Sequence, residues 1–196
     1  MRVLLKGTVV GGLIVFLWSA VSWMALPYHG RTLAKFQDEP AVQRALVSNV
    51  LGSGVYILPH PDQVMAHAAD SQVRLMARRK QDQIAKGFFA FAVVQTRGTG
   101  VMPVQMGRAL AIQMLGSLLM TWLLLQAGPI SYRRRVFFVM VVAMTGGILS
   151  HLPQWNWWGF PDGYTLMEML DLLAGWFLAG LVLARIVPSK SCGNDK

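Results

Sequence analysis

Glu168 and Asp171 lie three residues apart in "YTLMEMLDLLAGWFLAGLVLA", a stretch otherwise apolar enough to cross a bilayer. A carboxylate facing hydrocarbon costs roughly 3 kcal/mol, so both acids are expected to turn inward and find partners. On a helix their spacing gives them one face. Gly175 and Ala179 continue that face with small residues that allow close helix approach. Two carboxylates at that depth can hold a cation or a proton, or pair with a base. Candidate bases stand at the ends of the other apolar runs: His29 after the first, Arg108 before the second, and His151, beside Ser150, at the end of the third. The expected polar cluster is therefore His29, Arg108, His151, Glu168 and Asp171. It reads in two ways: as a site for an ion, a proton, a metal or a headgroup, or as an Arg108–carboxylate pair that locks the helices together.

The remaining chemistry-bearing residues point less sharply. His60 and His67 in "PHPDQVMAH", with Met102 and Met106, are residue types that bind copper or zinc. They lack the HxH, HExxH or paired-thiolate spacing of a dedicated site. The twelve methionines read as packing residues. No Walker, GxSxG or suitably placed GxGxxG motif occurs, so no cofactor and no resident metal is expected. An intramembrane enzyme using His151 with a carboxylate, and Ser150 as nucleophile, ranks last among the functional readings. Trp155, Trp157 and Trp158 read as an interfacial aromatic belt. "MARRKQDQIAK" reads as a solvated helix face able to touch anionic lipid. Cys192 is alone and forms no internal disulfide.

These residues are carried on a chain of 196 residues that is 54% hydrophobic and 14% charged. A soluble domain carries about 25% charged residues, so the apolar excess belongs in a bilayer. The formal charge of +9 would suggest nucleic acid in a soluble protein. Here the basic residues flank apolar runs, which points to topology and anionic headgroups instead. Four stretches meet or approach the length of about 20 apolar residues that a span requires: 7–26, 109–127, 136–152 and 164–186. Gly7-x3-Gly11 and Ala143-x3-Gly147 fit close helix contact. Trp18 and Trp23 occupy positions where a signal-peptide cleavage site needs small side chains, so the first span is expected to be an uncleaved anchor. Arg133, Arg134 and Arg135 lie between spans two and three, whereas "PQWNWWGFPDGY" between three and four has no Lys or Arg. Positive-inside logic then puts both termini in the cytoplasm and the tryptophan loop outside.

The segment between spans one and two is expected to be a folded extracytoplasmic insert, 27–107. Asp38 is a candidate N-cap with Pro40 in the first turn, and "GSGVYILP" reads as a turn and strand. Asp62 would cap a helix over 63–86 stopped by Gly87, and "FFAFAVVQT" reads as a buried strand too short to span. The expected organisation is a mainly α membrane protein. Four transmembrane helices form a bundle with a small α+β insert: 1–26 for the N-terminus and helix 1, 27–107 for the insert, 108–188 for helices 2–4, and 189–196 for a cytoplasmic tail.

The blocks "WSAVSWMALPYHG", "SGVYILP" and "SHLPQWNWWGFPDGYTLMEMLDLLAGWFLAGLVLA" together resemble a family of small bacterial inner-membrane proteins of uncharacterised function. The resemblance implies a bacterial inner-membrane setting and carries no active residues over. The leading functional expectation is a non-enzymatic accessory or assembly component of an envelope complex. Its partners would be the bilayer and a membrane or periplasmic protein, or a second copy of the chain, with no nucleic acid. The alternative is a small transport or ligand-binding protein that uses Glu168 and Asp171 for a cation or proton.

Overall fold

A computed structural model describes residues 1–60 and 71–188. Its elements run α1 (Arg2–Ala25), α2 (Tyr28–Thr32), α3 (Glu39–Asn49), β1 (Gly54–Leu58), α4 (Ser71–Lys86), β2 (Ala90–Val94), α5 (Met102–Gln126), α6 (Tyr132–Trp158) and α7 (Asp162–Ile186). Four of these, α1, α5, α6 and α7, are long and apolar enough to cross a membrane, with mean hydropathy between 1.6 and 1.9. At about 1.5 Å per residue each reaches well beyond a hydrocarbon core of about 30 Å. The chain is mainly helical and reads as a multi-pass membrane protein. It divides into two compact units, Met1–Lys35 with Val101–Lys196, and Phe36–Gly100.

In the first unit the long helices alternate in direction. Gly7 of α1 faces Thr121 of α5, and Gly12 faces the backbone of Met114. Gly11 meets Leu183 of α7, and Gly175 of α7 meets Trp18 and Val15 of α1. Ser117 donates to the Gly7 carbonyl at 2.9 Å, a bond made possible by the missing side chain. Gly180 and Gly147 serve the same purpose between α7 and α6, against Val139 and Leu172. Packing thus runs in the order α5, α1, α7, α6, while α5 and α6 touch little. A closed bundle would pair those two as well. Val15, Met120, Leu124, Val139, Ala179 and Leu183 fill the centre.

Helix ends follow the local sequence. Pro27 cannot continue α1, and Leu26 before it takes an extended conformation (φ −97°, ψ 139°). The chain then folds back through α2, an element absent from the sequence reading. The third span was expected to close at 152, with "PQWNWWGFPDGY" as a loop. Instead α6 continues through Pro153 to Trp158 and stops at Gly159, whose φ of 69° suits a residue without a side chain. Trp155 Nε1 then donates across the turn to Asp162 Oδ1 at 2.6 Å.

In the second unit Asp38 caps α3 by accepting from the Ala41 amide at 2.9 Å, with Pro40 in the first turn. β1 and β2 pair antiparallel, with Gly54 opposite Val94 and Leu58 opposite Ala90. The expected start of the second insert helix at Asp62, and His67, fall outside the described residues, as does Cys192. None of the described side chains of this unit is buried, so β2, expected as a buried strand, is only partly covered: its sheet has two strands.

Candidate functional site

One buried polar cluster forms where α1, α2 and α7 meet. It begins with the turn that Pro27 imposes, because α2 swings His29 back over α1 until the imidazole is 1% exposed. The Trp23 indole stacks on the His29 ring, with centroids 4.0 Å apart and 13° between planes, and Tyr28 closes another side at 4.9 Å. From α7, Asp171 and Glu168 enter on the shared face that their spacing requires; their side chains are 10% and 19% exposed.

The hydrogen bonds define a direction. Asp171 Oδ1 accepts from Trp18 Nε1 at 2.8 Å and from the Ser22 hydroxyl at 2.5 Å. Trp18 Nε1 also reaches the Asp171 carbonyl at 3.1 Å. Ser22 has only one proton, and a carboxylate oxygen can only accept, so that proton points at Asp171. Its two other neighbours, Tyr28 Oη at 2.8 Å and His29 Nε2 at 2.9 Å, must then donate to Ser22 Oγ. The network therefore assigns His29 a proton on Nε2. Its other nitrogen, Nδ1, faces Glu168 Oε1 at 3.5 Å. Both atoms are buried without a hydrogen-bond partner. A proton placed between them would join imidazole and carboxylate directly; without it two acceptors face each other.

Of the five residues expected to cluster, His29, Glu168 and Asp171 come together here. His151 stands on α6, half-buried, within electrostatic reach of Glu168. Arg108 is not part of the cluster: it is exposed on α5. The physical reason is the order of packing, because α5 lies chiefly on α1 while the carboxylates project from α7 toward α1 and α2. The carboxylates are thus met by neutral hydrogen-bond donors and an imidazole rather than by a guanidinium. Trp18, Ser22 and Tyr28 were missed in the sequence. The available signal was Trp18 and Ser22 at helical spacing within an apolar run, both able to donate toward a buried acid.

A second buried base was also missed. Arg135, 3% exposed on α6, donates from Nη1 to the carbonyls of Ala184, at 3.2 Å, and Val187. These are carbonyls at the α7 terminus that have no partner within the helix, so a cation there also meets the negative end of the helix dipole. Of the other expected residues, Trp155, Trp157 and Trp158 are all exposed at the end of α6. Among the described residues no group of His, Cys, Asp and Glu is arranged to hold a metal ion.

The second unit offers a groove of about 480 Å³ between α3 and β2, walled by Phe36, Val42, Leu46, Val47 and Val93, with Glu39 at its rim. Phe36, Val47, Val55, Phe88 and Val93 are all well exposed. No family model matches this chain, and no curated protein or solved structure does either.

Proposed function

We propose that this chain is a non-enzymatic integral membrane protein, an accessory or assembly component that holds a protein partner through its insert. The observation that carries this reading is the exposure of the insert: among its described residues, which form a two-stranded sheet and two helices, no side chain is buried. A two-stranded sheet is marginal by itself in water and needs a further layer to bury one face. Large exposed hydrophobic patches mark interaction surfaces, and the α3–β2 groove supplies a concave one. The polar cluster supports the same reading from the other unit. Ser22 is fully buried and His29 nearly so, which suits a lock between helices better than a path for solute.

In this proposal the insert lies on the extracytoplasmic side of a bacterial inner membrane and both termini lie in the cytoplasm. The arginines of "SYRRRV" and the absence of Lys and Arg from "PQWNWWGFPDGY" support that orientation. A photoreactive amino acid at Val47 or Val93 tests the partner role in native membranes. The expected result is one discrete protein adduct, either a partner or a second copy of the chain. A monomeric purified protein with no neighbour trapped from either position rejects the reading.

One observation favours the alternative, a cation- or proton-handling role. His29 Nδ1 and Glu168 Oε1 are buried, adjacent and unpartnered, which is the arrangement expected of a pair that takes up and gives back one proton. Asp171→Asn in sealed vesicles separates the readings: proton or cation flux that stays unchanged in a folded variant removes this one.

A further inference from the structure

Because α5 and α6 touch little, a cleft of about 430 Å³ opens between them, with Trp176 of α7 as part of its floor. Met120, Ala143 and Gly146 line its walls, and Ser150 and His151 its polar end. From the geometry we infer that this cleft is a phospholipid site: one acyl chain lies in the slot and the phosphate or ester oxygens accept from the His151 ring N–H. This inference is independent of the partner-binding role proposed for the insert.

The surroundings favour a lipid chain: the cleft's walls belong to helices long and apolar enough to cross a membrane, so acyl chains are the medium at its mouth. The cleft runs from residue 116 to 123 on α5 and from 142 to 151 on α6. At about 1.5 Å per residue that is roughly 12 Å of length, room for part of one hydrocarbon chain. Water is a poor occupant of a slot with these apolar walls inside a spanning unit, since a buried water needs two to four polar partners.

Chemistry fixes the orientation. The apolar wall ends at a half-buried imidazole that makes no hydrogen bond among the described residues. Ser150 beside it is already committed, donating to the Gly146 carbonyl at 2.7 Å. His151 is therefore the group at that end left to meet a head. Glu168 lies within electrostatic reach of it. Gly146 provides the entrance wall. A β-carbon built on it meets nothing within 4 Å, whereas one on Gly116 across the slot would meet Trp176 at 3.2 Å.

That difference designs the test. The full-length protein is reconstituted in vesicles of phosphatidylethanolamine and phosphatidylglycerol that contain a phospholipid with a diazirine in its acyl chain. After illumination the adducts are mapped by peptide mass spectrometry. The expected adducts concentrate on Met120 and Val142. Gly146→Phe, which fills the slot from open space, lowers them by roughly tenfold, as loss of a site requires. Leu149→Phe, on an exposed position outside the cleft, leaves them unchanged. His151→Ala lowers them while Tm holds. Adducts spread evenly between the cleft and the Leu149 face overturn the inference, and so does a protein helix cross-linked to Met120. The adduct map of the wild-type protein is decisive by itself even if a variant fails to fold.

Discussion

Trp18, Ser22, His29 and Asp171 in one unit, and Phe36, Val47 and Val93 in the other, sit on the wrong side of the usual rule. The first unit hides polar groups inside a helix junction, and the second leaves large apolar groups in the open. In the first, Gly7, Gly11, Gly12, Gly175 and Gly180 let helices approach closely, and Ser22, Ser117, His29 and Arg135 each make a hydrogen bond inside. In the second, the described order is local: the Asp38 cap, the short β1–β2 ladder and the bonds of Ser53 with Thr96 and of Tyr56 with the Gly52 carbonyl. A bilayer explains part of the contrast: outward-facing apolar side chains in a span meet lipid, so its interior is free to specialise in close packing and hydrogen bonds. The insert has no such solvent in the proposed extracytoplasmic setting, which is the basis for proposing that a protein covers its exposed face.

The comparison can be broken by substitution. The largest effect is expected from Asp171→Ala, which removes the carboxylate that accepts from Trp18 Nε1 and the Ser22 hydroxyl. Removing one partner from a buried charged network costs about 3–5 kcal/mol, read as a marked fall in Tm in detergent micelles. If Tm barely moves, the cluster is not a lock. Next comes Gly12→Leu. Its β-carbon would sit 2.9 Å from the Met114 backbone, which cannot rotate away. Overpacking of this kind costs about 1–3 kcal/mol, and separation of α1 from α5 should appear as loss of cross-linking between cysteines placed on the two helices.

Arg135→Met should cost somewhat less, about 2 kcal/mol, because hydrogen bonds from a charged donor to two terminal carbonyls are lost while the side-chain volume stays. Hydrogen exchange at the α7 C-terminus is the direct readout, and exchange equal to wild type counts against a capping role. Smallest in stability is Val47→Ser with Val93→Ser in the insert. Exposed substitutions lie within about 0.5 kcal/mol of wild type, yet this pair is expected to abolish the partner adduct. A Tm drop as large as that of Asp171→Ala would mean that the insert has a core after all.

Much of this molecule could be read in one dimension. The span-forming helices follow from runs of apolar residues, which need no knowledge of neighbours. The α3 cap follows from Asp38 and Pro40, the first strand from the turn before it and Pro59 after it, and the second from a short apolar run, all local signals. The shared face of Glu168 and Asp171 follows from helical period. Their need for partners follows from the cost of a bare charge in hydrocarbon. His29 could be picked from its place at the end of the first span. What failed was pairing: Arg108 has the right charge and a reasonable depth, but it is on a helix whose packing goes elsewhere.

The order of packing among α5, α1, α7 and α6 was decided in three dimensions, by which glycines meet which side chains. No composition or period encodes that choice, because every span here carries small residues on some face. The same choice made neutral donors from α1 and α2 the partners of the acids, buried Arg135 against the α7 terminus and left a slot between α5 and α6. Local rules determine which segments form helices, since a helix satisfies its own backbone. Which helix lies beside which depends on the fit of surfaces far apart along the chain, and only the folded molecule reports it.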